Sequence, residues 1–333
     1  MQDWAELYAL ARRIKTMEPW KRISENAIFA LVDPITRENG YCVIMGEFGT
    51  HLSVAIYLGD EGLRSCIDIQ DGYLDDIELY IGQKCLTLSF EDKDLVTPED
   101  RAIYTALGLK FRGRQGYPIF RCYEPGFEPW PLNADQAAFL RLALPKVMQI
   151  VSLDAKGDPD YLFPDEDTMR CFTPVNTGDS WAWEESTIPY EMPAGAVVAH
   201  RVDELEIRRF AKKYSKGSAA LEVDYFYFPA AIMEGPRPFY PRAVMVVDEH
   251  GPVLACEVVH HDASIYATVQ QQLFVAMEKI GQIPQAVVVQ REDLELLLTK
   301  YAPVLGFEVQ LIDELDAFEE AKDSLFDSLG VDS

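Results

Sequence analysis

Residues 243–259 read AVMVVDEHGPVLACEVV. Two apolar, valine-rich runs, Ala243–Asp248 and Val253–Val259, flank a tight turn at His250-Gly251. Such runs on either side of a glycine-bearing turn predict a β-hairpin. Working outward, Val223–Met233 predicts a preceding strand. On the other side, Tyr266, Val269, Leu273, Ala276 and Ile280 recur at helical spacing. Gln285–Val289 is a continuous apolar run of the kind that a parallel sheet buries on both faces. Leu294, Leu297, Leu298 and Tyr301 predict a second helix, Phe307–Ile312 a strand, and Leu315, Phe318, Leu325 and Leu329 a third helix. The order βββαβαβα describes an α/β domain with a mixed sheet and right-handed crossovers.

That order resembles the ribonuclease-H-like topology, a likeness that carries no chemistry by itself. The amino-terminal half reads differently. Residues 3–17 form an amphipathic helix, and Ala27–Val32, Tyr41–Gly46, Leu52–Leu58, Ile77–Ile81, Cys85–Phe90 and Tyr117–Tyr123 read as strands. Gly59-Asp60-Glu61-Gly62 reads as a turn into a weakly helical stretch. Thr97 caps a helix with Pro98 at its first position, and Asn133 with Gln136 forms a capping box opening another that runs towards Val151. These elements predict an α+β domain over residues 1–152 with a mostly antiparallel sheet. Residues 153–196 are rich in Asp, Pro and Gly and read as a connector, with a short strand around Trp181 and Trp183. The α/β domain then spans 197–333, opening on a helix with Asp203, Glu204 and Glu206 at its start and five basic residues towards its end, an order that complements the helix dipole.

The chain has 55 acidic and 30 basic residues, a formal charge of −25. The excess falls mainly after residue 150: net −6 before it and −19 beyond. Such a field repels phosphate backbones and anionic lipid, which argues against nucleic acid and membranes as partners. No apolar run approaches the roughly 20 residues of a membrane span, and no export signal is visible, so the expected compartment is the cytoplasm. The six widely spaced cysteines form no C-x-x-C and read as reduced thiols packed as small hydrophobes.

Against this background Lys110–Trp130, KFRGRQGYPIFRCYEPGFEPW, stands out. Four basic residues precede its first acid, Glu124, and six aromatic rings are interleaved with them. Gly113-Arg114-Gln115-Gly116 matches the G-x-x-G loop of KH domains, but that loop must lead into a helix, and Pro118 forces Tyr117 into extended backbone. The remaining candidate is a binding surface of Arg112, Arg114, Tyr117, Arg121 and Trp130, able to hold a carboxylate or phosphate through arginine. The competing reading is that the rings are core and the arginines pair with the chain's own acids.

No catalytic set converges. P-loop, G-x-S-x-G and H-E-x-x-H motifs are absent, and no cofactor is expected. His260-His261-Asp262 lies too far along its strand from Asp248 to share a metal, and Asp262 reads as a helix cap. Asp293 and Asp313 both follow parallel strands and could share one sheet edge, the basis of an alternative reading as a divalent-metal phosphoesterase or nuclease. The carboxyl half of Val223–Met233 holds no carboxylate to complete such a site.

Pro19-Trp20, Asp33-Pro34, Met45-Gly46, Tyr57-x-Gly59-x-x-Gly62-Leu63, Phe111-Arg112-Gly113, Tyr117-Pro118-x-Phe120-Arg121 and Pro125-Gly126 before Pro129-Trp130 resemble a two-domain bacterial family of uncharacterised function. Its amino-terminal part is domain-of-unknown-function family 7309. Gln282-Ile283-Pro284 and Leu305-Gly306-Phe307 resemble the carboxyl-terminal part, family 6930. The resemblance implies the two-domain layout and no chemistry. The expected function is therefore a non-enzymatic binding or protein-interaction module, its partner a protein or a small anionic ligand.

Overall fold

A computed structural model describes residues 2–72, 76–154, 161–162, 165, 167–178, 180–193 and 204–330. It divides into two units, Met1–Pro193 and Ala194–Ser333.

The first unit is built on a seven-stranded sheet. Its strands are β1 (Phe29–Val32), β2 (Asn39–Met45), β3 (Ser53–Leu58), β4 (Cys85–Glu91), β5 (Tyr117–Tyr123), β6 (Thr168–Asn176) and β7 (Trp181–Pro189), in the order β5-β4-β3-β2-β1-β6-β7. All neighbours are antiparallel except β1 and β6, which run parallel. Period-two alternation sends Phe29, Leu31, Cys42, Ile44, Val54, Ile56, Leu86 and Leu88 to one face. There they meet Leu7, Tyr8, Ala11 and Ile14 of α1 (Gln2–Met17) and Phe139, Leu140 and Leu144 of α5 (Ala134–Asp154). The intervening residues Ala30, Tyr41, Val43, Ala55 and Tyr57 face Leu63 and Cys66 of α2 (Gly59–Asp71). Helices α3 (Asp76–Ile81) and α4 (Pro98–Ala106) complete the unit.

Several local expectations change. Residues 59–62 are the first turn of α2 rather than a separate turn. Ile77–Ile81 is helical, because a five-residue apolar run with one acid satisfies helical and strand spacing equally and its tertiary setting decides. Residues 153–196, expected as a connector, supply β6 and β7, which pair along nine residues and join the sheet through β1. Strand β7, which carries Glu184, Glu185 and Pro189, is the edge strand, and most of it is exposed on both faces, so no alternation is needed. The expected strand Val223–Met233 ends at Tyr227.

Tight packing of α2 explains one glycine of the sequence motif. A Cβ on Gly62 would meet the carbonyl carbon of Tyr57 at 2.7 Å and the Lys84 carbonyl oxygen at 2.8 Å, both backbone. Neither can move without disturbing β3 and its junction with β4, where the Leu58 amide donates to that same Lys84 oxygen. Gly62→Ala is therefore expected to cost about 1–3 kcal/mol as an overpacking change. Urea melts of the purified variant check it, and an unchanged midpoint would show that the helix can lift off freely.

The second unit holds a five-stranded sheet of β8 (Ala220–Tyr227), β9 (Arg242–Asp248), β10 (Val253–Val259), β11 (Ala286–Val289) and β12 (Glu308–Leu311), in the order β10-β9-β8-β11-β12. Strands β8, β9 and β10 form an antiparallel meander, and β11 is parallel to both β8 and β12. The hairpin of residues 243–259 closes at a turn in which the Gly251 amide donates to the Asp248 carbonyl. Helix α7 (Ile265–Ile280) covers one face through Val269, Leu273 and Met277, joined there by α6 (Glu204–Lys213), α8 (Glu292–Leu298) and α9 (Ala302–Leu305). Helix α10 (Asp316–Leu329) covers the other through Phe318 and Phe326 against Phe226. Ser264, not Asp262, caps α7: its hydroxyl accepts from the Ala267 amide. Asp203, expected at the start of α6, lies outside the described residues, as do the side chains of Glu204 and Glu206. Among the described residues no helix is long and apolar enough to cross a membrane.

Candidate functional site

The Lys110–Trp130 segment divides into a buried part and an exposed part. Arg121 belongs to the first. It lies on β5 and makes a bidentate pair with buried Asp100, Nη1 to Oδ1 at 2.9 Å and Nη2 to Oδ2 at 2.6 Å. Asp100 sits in the first turn of α4, where it also accepts from the Thr97 amide and hydroxyl. Burial pushes the Asp100 carboxyl up, but the hydrogen bonds and charge of Arg121, together with Thr97, outweigh it and hold the group below the usual range. Arg121 is thus the latch between α4 and β5, and the expectation that it faces a partner is corrected.

The aromatic residues are also mainly core. Phe120 is buried against Tyr8 and Trp4, and Phe111 contacts Tyr8, Tyr104 and Tyr117. Tyr117 is half-buried. Trp130 remains 38% exposed, while its backbone pairs with Cys122 in both directions. Ring burial is the local reason for the segment's composition.

Arg112 and Arg114 are exposed and pair with no carboxylate among the described residues. The turn carrying them is well anchored. Gln115, at φ +47°, donates its amide to Asp92 at 2.6 Å and its side chain to the Gly49 carbonyl at 3.1 Å. The two guanidiniums are therefore presented on a fixed turn.

A second basic cluster joins residues distant in sequence. Arg12 and Arg13 of α1, Thr16 and Met17 one turn later, Arg22 beyond the short helix Pro19–Lys21, and Met148 of α5 line an open depression of about 440 Å³. The three arginines are exposed, and none pairs with a carboxylate among the described residues. The Arg12 guanidinium lies 5.1 Å from the centre of the Phe111 ring, which links this depression to the residue preceding Arg112. The i, i+4 spacing of Arg12 with Thr16 and of Arg13 with Met17 was visible, but the packing of α5 that brings in Met148 was not.

In the second unit Asp293 and Asp313 have different environments. The Tyr225 and Tyr266 hydroxyls donate to Asp293 Oδ2 at 2.9 and 3.0 Å. Asp313 is exposed. Ending β8 at Tyr227 places Asp224 in that strand's carboxyl half, so the expectation of no carboxylate there is corrected. Asp224 is buried and accepts from Arg291 Nε at 2.9 Å, while the Arg291 guanidinium lies 4.7 Å from the Tyr225 ring centre. Burial pushes the Asp224 carboxyl up to about 6, partly opposed by Arg291 and the Tyr225 amide. These carboxylates are matched to guanidinium and phenol donors. Among the described residues no group of three or more His, Cys, Asp or Glu is arranged to hold a metal ion. His260 bridges Asp262 at 2.7 Å and Glu234 at 3.1 Å, and those two hydrogen bonds raise its pKa. All six cysteines are free thiols, and only Cys256 is exposed.

No curated protein matches the chain. Residues 206–326, from α6 into α10, match the family described as Domain of unknown function (DUF6930). Residues 4–173 match Domain of unknown function (DUF7309), a span that starts in α1 and stops within β6. That match covers just over half of the 333 residues, and the chain belongs to the DUF7309 family, with a DUF6930 region in its second unit.

Proposed function

We propose that the chain is a cytosolic binding module that contacts a partner protein through Arg112 and Arg114 on the anchored turn of its first unit. One observation carries this reading: in a chain with 55 acidic residues, these two arginines are held out on a fixed turn with no carboxylate of the described residues to neutralise them. Arginine's planar fork recognises carboxylate or phosphate bidentately, so the contact reads a local anionic group rather than bulk charge. The second unit is read as a ribonuclease-H-like scaffold, which the strand order β10-β9-β8-β11-β12 supports, and no catalytic role is assigned to it.

The test is quantitative capture of partners from lysate of the source cells by the full chain and by Arg112→Ala/Arg114→Ala. The substitutions touch no buried contact, so thermal stability should stay within about 0.5 kcal/mol of the parent. At least one partner captured by the parent should fall several-fold with the variant. An identical partner set would overturn the proposal.

A further inference from the structure

The depression lined by Arg12, Arg13, Thr16, Met17, Arg22 and Met148 shares no residue with the Arg112–Arg114 turn. Its volume of about 440 Å³ lies within the range of small-molecule sites. The side chains of Arg12, Arg13 and Arg22 line it, and Met17 and Met148 add to its apolar part. Each element restricts what can occupy it.

Charge comes first. Three like charges around one concavity repel one another, and a multiply charged anion relieves that repulsion better than a monoanion. Donor count points the same way. Three guanidiniums carry about fifteen N–H donors, whereas one carboxylate offers about four acceptor sites. A phosphomonoester, with three terminal oxygens and a charge near −2, accepts more of them.

Size is set by the rest of the chain. At physiological ionic strength charges are screened beyond about 8 Å. A compact anion feels chiefly the arginines, whereas an extended polyanion would run onto the surface of a chain with net charge −25. Met17 and Met148 favour an apolar group beside the charged one, since methionine adapts to irregular apolar shapes. We propose that this depression binds a small phosphomonoester carrying an apolar body. The site is independent of the partner contact proposed for Arg112 and Arg114.

The experiment is isothermal titration of the full chain with phenyl phosphate, inorganic phosphate, benzoate and a single-stranded oligonucleotide. Phenyl phosphate should bind most tightly, with inorganic phosphate weaker for want of an apolar body and benzoate weaker for want of charge. Arg13→Gln/Arg22→Gln should weaken phenyl phosphate at least tenfold with an unchanged melting temperature, since both arginines are exposed. Met17→Ala should narrow the gap between phenyl phosphate and inorganic phosphate. Arg112→Ala/Arg114→Ala should leave phenyl phosphate binding intact, which separates this site from the turn whatever partner capture yields. The proposal is overturned if phenyl phosphate gives no saturable heat at millimolar concentration, or binds the Arg13/Arg22 variant as well as the parent. It is equally overturned if benzoate or the oligonucleotide binds more tightly, or if the Arg112/Arg114 variant is the one that loses phenyl phosphate.

Discussion

Arg121→Ala is expected to destabilise the first unit by about 3–5 kcal/mol, the usual cost of removing one partner of a buried ion pair. For a unit of this size that corresponds to a fall in melting temperature of roughly 6–20 °C. The reason is the carboxylate left behind. Asp100 is buried, and both its oxygens are bonded to the Arg121 guanidinium. Without Arg121 the group must stay charged in a poor solvent or take up a proton, and either route costs free energy. Arg121 also donates to the Phe120 carbonyl, so its loss loosens β5 where Phe120 enters the core. Asp100→Leu/Arg121→Met should lose less than Arg121→Ala alone, because no buried charge is stranded. It should not recover the parent, because Asp100 also accepts from the Thr97 amide in the capping box. Denaturant melts of the single and double variants decide it: a single-variant loss under about 1 kcal/mol would mean that water already reaches the pair. The parent carries a related acid signature. The Asp100 pKa is depressed on folding, so its contribution is fully present above the unfolded value near 4 and is lost as pH falls through the lower folded value.

The second large effect has the opposite dependence on pH. Arg291→Ala is expected to cost the second unit about 1–3 kcal/mol at pH 7, by leaving a buried carboxylate, Asp224, without its counter-ion and hydrogen-bond donor. Here burial outweighs the partner. Asp224 is raised to about 6, above its unfolded value near 4, so the folded unit binds the proton more tightly than the unfolded chain. By linkage, this group's effect on stability worsens as pH rises from about 4 through about 6. His260 acts in the same sense. Its raised pKa gives a contribution fully present below its unfolded value near 6.5 and lost as pH climbs through the folded one. The Arg291→Ala loss should therefore shrink at pH 5, where Asp224 takes up a proton, while the lost packing on Tyr225 persists. Urea melts at pH 5 and pH 7 provide the check, and equal losses at both would remove Asp224 from the explanation.

Where local chemistry sets the structure, the sequence was readable. Thr97-Pro98 and Asn133 with Gln136 predict the starts of α4 and α5, and both capping boxes form. Tyr117–Tyr123 has the bounds of β5, because Pro118 holds Tyr117 in extended backbone and its neighbours alternate. The βββαβαβα order of the second unit followed from hydrophobic period alone, although the one-turn helix α9 was not anticipated. The misses are non-local. The acids and prolines around β6 hide a strand whose position depends on reaching the free edge of β1. Arg121 looked available because Asp100, its partner, lies on another element. Asp224 lies outside the carboxyl half of the expected strand Val223–Met233, which runs past the end of β8. An acid inside ALEVDYFY, on the same face as Glu222, was the usable signal, since both of those acids are buried. The arginine-lined depression needs α1, the following short helix and α5 together, and no window of sequence contains all three.

The parallel pairing of β1 with β6 bears on how the first unit is made. Strands β1 to β5 lie in the sheet in the order in which they leave the ribosome, so each can pair with its predecessor as it emerges. Strand β6 must instead travel back past all of them, after α5 has formed, to close the far edge beside β1. Until then β1 presents an unpaired edge whose four residues, Phe29 to Val32, are all apolar and buried in the finished fold. Such an edge is a template for the wrong strand as well as the right one. Long-range closure of this kind is also slow relative to hairpin pairing. The nascent protein therefore passes through a vulnerable interval that ends only with the late return of residues 168–176.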